Sequence, residues 1–430
     1  VNQRQRIQRV IVAAISAAAT AWAAAPAADA QSELRIIRQV PPQVIAQQLS
    51  VKVYDGGYGS AVAVDRREAR HFHLLTGRGP SIDTTVPNQR MFFAPEYAPR
   101  IGRFQNAPQG LRRVSFVELR TFDGRKLSGL PLPPGLGGTG EAPVDPQGRP
   151  LKYDPEGIDP KGLVAASDGT FWISDDYGPF LLHVDENGRT LERIGPVRGT
   201  VRAMPRVFAR RRPGRGMEGL TMLPGGEVLV GIMESPLDNP SPAVRRTARA
   251  ARILVYDARA SSSKQYLYLQ DGPGLQNSEI AAISATRLLV LEHDGNTPGD
   301  AAAPARVKRV YLIDISRATD VSDRGNSAQG RTVNGRALEE LSPFDLNTEG
   351  IVPASKRLVV DLLTLPRGYP HNKPEGLVIL TDRMIAITNN DDFGITGVGG
   401  VLAPKRMPGS PVLIDRGSLY IITLERPLAN

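Results

Sequence analysis

The chain has 430 residues, 41% of them hydrophobic, with 43 glycines, 36 prolines and no cysteine. That much Gly and Pro breaks a chain into short elements and favours an all-β protein; the lack of cysteine excludes a disulfide framework and a lipidated N-terminal cysteine. A net charge of +9 suits anionic partners, but 6% aromatic content is thin for carbohydrate stacking or a single-strand nucleic-acid platform, so a small anionic substrate and no nucleic acid is expected.

Residues 1–30 read as a signal peptide. Arg4, Arg6 and Arg9 form a basic start, Val10–Ala25 an uncharged Ala-rich core, and Ala28-Asp29-Ala30 a small-x-small cleavage site. Cleavage there leaves residues 31–430 as a single domain in a bacterial periplasm or the medium, a monomer with no membrane attachment.

One pattern then recurs along the chain. Leu34–Ile37 is a candidate strand. Gly56–Asp65 and Phe72–Pro80 make a first strand–turn–strand–loop unit, with a further strand at Val114–Leu119, and residues 131–150 read as a surface excursion. The second unit is Asp154–Pro179, closed by Phe180–Asp185. The third runs Gly216–Leu223, Val228–Ile232 and Arg252–Asp257; the fourth, Asn277–Ile283, Leu288–Gly295 and Val310–Asp314. The last has Lys373–Leu380, Met384–Thr388 and Pro411–Asp415, and Glu349–Val352 with Arg357–Leu363 suggests a partial extra copy. Each unit reads as a Glu-Gly-aliphatic strand, a turn, and an apolar strand ending in acidic or amide residues. Repeats of this kind predict a β-propeller of five or six blades of short antiparallel strands, with long inter-strand insertions such as Asp238–Ala251 and Asn296–Lys308.

In a propeller the first strand of every blade lines one axis, so residues at the same phase converge. Glu156, Glu218, Glu279 and Glu375 share that phase, and Glu292 joins them from a second-strand end. Converging carboxylates need a cation or protons, and hard oxygen ligands suit Ca²⁺ best; a Glu beside Gly can equally latch one blade to the next through backbone hydrogen bonds. Asp175, Asp176 and His293, at second-strand ends, are the candidate catalytic groups. Arg78, Arg215 and Lys373 are the candidate anion-binding groups. There is no Gly-x-Ser-x-Gly motif, and no Gly-rich phosphate loop precedes a helix.

At these residues the chain resembles the phytase-like proteins described as having esterase-like activity of phytase. The matching pieces are Thr76-Gly77-Arg78-Gly79-Pro80, Asp154–Ile158, Trp172–Pro179, Arg215–Leu220, Leu289–Asp294 and Lys373–Leu377. The family usually has Ser-Asp-Arg-Gly-Pro at the first of these, so Gly77 departs from it. The resemblance covers residues 51–425 and implies a secreted β-propeller with calcium-dependent phosphoester hydrolysis. Two functions follow as expectations: a Ca²⁺-assisted hydrolase of phosphate or carboxylic esters, or a non-catalytic propeller that binds an anionic ligand or a partner protein.

Overall fold

The computed structural model describes residues 33–39, 43–48, 50–68, 70–197, 200, 202–366 and 368–429. The expected signal peptide, residues 1–30, lies outside them. Among the described residues the protein is all-β, with one short α-helix, Pro343–Thr348, and no helix long and apolar enough to cross a membrane.

Five antiparallel sheets carry the structure. The first holds strands Tyr58–Val64, His71–Thr76, Arg100–Ala107 and Gly110–Glu118. In the second, Pro160–Ala165, Phe171–Asp175, Leu181–Val184 and Thr190–Gly195 are followed by the short parallel strand Arg202–Ala203. Met217–Met222, Val228–Met233, Ala250–Asp257 and Ser262–Leu269 form the third. The fourth is built from Gln276–Ala282, Arg287–His293, Lys308–Asp314 and Ser355–Asp361. In the fifth, Pro374–Thr381, Met384–Asn389 and Ser418–Thr423 are joined by Glu33–Arg38 from the other end of the chain.

The second strands explain the core. Leu288-Leu289-Val290-Leu291 is apolar at every position because both faces are covered, and all four side chains are buried. Tight turns join first to second strands. In the second sheet Asp168 Oδ1 accepts from the Thr170 amide at 2.9 Å, the local bond that makes Ser-Asp-Gly a turn former. Between sheets the apolar faces interdigitate; Trp172, Leu181 and Ile194 of the second share a cluster with Leu220, Leu229 and Leu254 of the third.

The first strands pack side by side in the cyclic order of the sheets, with the fifth sheet's strand also touching the first's. Glycine permits the approach. A Cβ on Gly162 would sit 2.5 Å from the Leu220 nitrogen, and one on Gly219 would sit 2.5 Å from the Ile280 nitrogen. A channel of about 300 Å³ runs between these strands, lined by Val62, Leu163, Leu220, Ile280 and Leu377 among others. Every first strand also shifts register near its start, just after Tyr58, Pro160, Met217, Asn277 and Pro374. Such a bulge re-aims the side chain that follows it.

Several strand assignments differ from expectation. Ser355–Asp361 is the outer strand of the fourth sheet, so Glu349–Val352 and Arg357–Leu363 form no extra copy. The third strand of the last sheet is Ser418–Thr423, because Pro411–Asp415 is spent in a turn closed by Met407 and Leu413. Val114–Leu119 falls in the fourth strand of its sheet, and the excursion at 131–150 contains Ala142–Val144, paired with Gln89–Phe92.

Candidate active site at the starts of the inner strands

The register shift leaves one or two residues of each inner strand unpaired, and Ser60, Lys161, Glu218, Ser278 and Glu375 share one phase there, each two residues before the strand's channel-lining aliphatic residue. Glu218 is the centre of what gathers there. One carboxylate oxygen from each of Asp176, Glu218 and Glu234 lies within 4.8 Å of the others, and all three residues are buried. Among the described residues Glu218 Oε2 has no hydrogen-bond partner. Its Oε1 lies 3.4 Å from Lys161 Nζ, which is 3.9 Å from Asp159 Oδ2. Glu234 is 3.5 Å from Arg215 Nε, Asp176 accepts from the Gly216 amide, and Glu375 accepts from Asn390 Nδ2 at 2.9 Å.

Burial of so much charge sets the protonation. It lifts Glu218 well above the ordinary carboxylate range, with Lys161 opposing and Glu234, Asp176 and Glu375 adding. Glu234 rises to about 7 for the same reason, against the pull of Arg215. Asp176 and Glu375 are also raised, with burial foremost. Burial would discharge Lys161, but Asp159, Glu218, Glu375 and Asp176 hold its ammonium well above the usual range.

The other sequence candidates fall in different places. Glu279 sits one position beyond the shared phase. Its Oε1 accepts from Leu220 N at 2.8 Å and Ile280 N at 3.0 Å, so it ties the third sheet to the fourth. Glu156 lies in the turn before the second inner strand, outside the converging group; Lys161 holds the phase that the Glu-Gly pattern gave to it. Glu292 turns outward between the third and fourth sheets, where Tyr268 OH, the Asp271 amide and Lys356 Nζ occupy both oxygens at 2.6, 2.9 and 2.9 Å. Asp175 braces the loop: its oxygens accept from Asp159 N and Gly178 N, both at 2.8 Å, and burial lifts it to about 7.

The cations divide as well. Arg78 is consumed by Glu141 at 2.8 Å and Asp159 at 2.9 Å, with its guanidinium over the Tyr177 ring. Lys373 lies 3.2 Å from Asp392 and keeps a 40% exposed side chain. Arg215 Nη1 is buried without a hydrogen-bond partner. His293 is buried, and its Nδ1 accepts from Gly295 N at 2.9 Å. Burial first, then Lys308, Lys373 and Arg215, push its pKa well below the usual histidine range.

Sequence reasoning missed Asp159 and Lys161. The signal was present in Lys161-Gly162-Leu163, which matches Glu218-Gly219-Leu220 and Glu375-Gly376-Leu377 when the units are aligned on Gly-Leu.

The family model for phytase-like proteins with esterase-like activity of phytase matches residues 97–393, more than half of the chain. The chain belongs to that family. An uncharacterized secreted protein of Arthroderma benhamiae is 28% identical over 227 residues, covering 44% of this chain and 42% of that one; the match spans less than half of that relative's length. Among solved structures, a luciferin-regenerating enzyme aligns with a TM-score of 0.34 and 9% identity over 91% of this chain and 95% of that one. The PQQ-bound aldose sugar dehydrogenase of Streptomyces coelicolor gives 0.32 and 9% over 91% and 98%. Virginiamycin B lyase of Staphylococcus aureus gives 0.31 and 8% over 92% and 100%.

Proposed function

We propose that the five sheets are the blades of a five-bladed propeller, and that the Glu218 end of its axis is the active site of an exported ester hydrolase assisted by a divalent cation. The observation that carries this reading is the buried, unpartnered Glu218 Oε2 beside the carboxylates of Asp176 and Glu234. An all-oxygen, anionic donor set fits a hard cation, and calcium first among them. Asp176, Glu218 and Glu234 would hold it. When bound, calcium supplies positive charge that polarises an ester oxygen and acidifies water. The chain's own groups do the rest. Glu375, oriented by Asn390 and raised above its ordinary range, accepts a proton from water at its carboxylate. Arg215 and Lys373 draw an anionic phosphate or carboxylic ester to the opening. Membership of an esterase-like family supports the reaction class. The secreted relative and the basic-then-apolar segment 1–30 support export to a periplasm or the medium.

One observation favours the second reading, a non-catalytic binding propeller. Lys161 and Arg215 already stand beside Glu218 and Glu234, so the carboxylates are partly neutralised without any ion. Metal analysis of purified protein, with turnover of p-nitrophenyl phosphate and acetate esters before and after chelation, separates the two. The hydrolase reading expects about one calcium per chain and chelator-sensitive turnover. Absence of both removes it.

A further inference from the structure

The mouth has a half that the carboxylates leave unused. On each second strand, the residue after the partner of the last residue before the register shift is Asp176, Glu234, His293 or Asn390 in the second to fifth sheets. Asp176 and Glu234 reach the acidic group, and Asn390 bonds Glu375. The same phase aims His293 toward that axis. Its ring is only 3% exposed. Because Gly295 N donates to Nδ1, the neutral ring carries its proton on Nε2, and among the described residues nothing accepts that proton. The charged groups whose fields reach the ring are Lys308, Lys373 and Arg215. Lys308 is spent: its Nζ donates to the Asn372 carbonyl at 2.7 Å and lies 3.6 Å from Asp294. Lys373 leans on Asp392, and Arg215 Nε on Glu234. Arg215 Nη1 remains, buried and unpartnered. A buried N–H without an acceptor is costly, and Arg215 Nη1, with the His293 N–H at the phase of Glu234 on the adjoining sheet, defines a place for an oxygen anion.

We propose that His293 acts as a neutral hydrogen-bond donor rather than a general base, and that its Nε2–H and Arg215 Nη1 together hold the anionic oxygen that ester hydrolysis develops or releases. The catalytic part of this rests on the hydrolase reading; the anion pocket does not. It is tested by calorimetric titration of the full chain with inorganic phosphate and with acetate, with and without calcium. Arg215→Met and His293→Leu are expected to weaken phosphate binding by about tenfold or more, while His293→Gln, which keeps an N–H near Nε2, stays within about threefold of the parent. Nitrogen NMR is expected to show the Nε2–H tautomer, uncharged, from about pH 5.5 to 8. An imidazolium titrating within that range, or phosphate affinity unmoved in both Arg215→Met and His293→Leu, overturns the proposal. Intact anion binding without ester turnover sinks the hydrolase reading and leaves the pocket standing.

Discussion

Glu218 and Glu279 look interchangeable in the sequence, each an acid near the start of an inner strand. In the structure they are one position apart in phase, and that offset gives them opposite roles. Glu218 follows the bulge directly and projects an oxygen that nothing among the described residues satisfies. Glu279 stands where its neighbour has Gly219, and two backbone amides consume its Oε1. A proposed ligand and a latch are thus the same residue type, separated by which side of a register shift it occupies.

The sharpest test of that contrast is a pair of isosteric changes. Glu218→Gln is expected to weaken calcium binding by about 100-fold, since it removes one of three charges at the proposed site, and to leave the cation-free protein as stable or more so. Glu279→Gln is expected to change calcium affinity by less than about threefold. Calorimetric titration checks both; equal losses would break the contrast.

Stability should respond the other way round. Glu279→Ala strips two buried amides of their acceptor and opens a cavity between two sheets, at a cost of about 2–4 kcal/mol in denaturant unfolding. Full stability in that variant would mean that the latch holds nothing.

The smallest effect concerns a third kind of carboxylate. Glu141 is partly buried, but Arg78, Arg90 and the Thr139 hydroxyl outweigh desolvation and hold it at about 2. Its folded value lies below the unfolded one of about 4.3, so its contribution is present above that pH and is lost as pH falls toward about 2. Glu218, raised instead of lowered, has the opposite sign: its contribution fades as pH rises through its folded value. Glu141→Gln should therefore flatten the acid limb of stability between about pH 4.5 and 2, by on the order of 1–2 kcal/mol. An unchanged limb in an unfolding series would argue against the pairing.

The all-β class and the repeated unit were legible because the Gly-aliphatic strand starts and the apolar second strands recur in order. The site was only partly legible. Glu156-Gly157-Ile158 satisfies the Glu-Gly-aliphatic pattern, yet Lys161-Gly162-Leu163, a few residues on, is the segment whose glycine meets the next sheet. The physical marker of phase is the glycine where two backbones touch, not the acid before it. Asp175 and Asp176 show the complementary difficulty. Neighbours at a strand end face opposite ways, so one braces a loop while the other joins Glu218 and Glu234. Nothing in a single sequence says which. Glu292 was misplaced for the same reason, because its partners Tyr268 and Lys356 lie on outer strands distant in the chain.

The pairing of Glu33–Arg38 with Ser418–Thr423 bears on the order in which the protein can be finished. The earliest-made of the described strands has to wait for the latest-made one, so the fifth sheet stays incomplete until residue 423 has been synthesised.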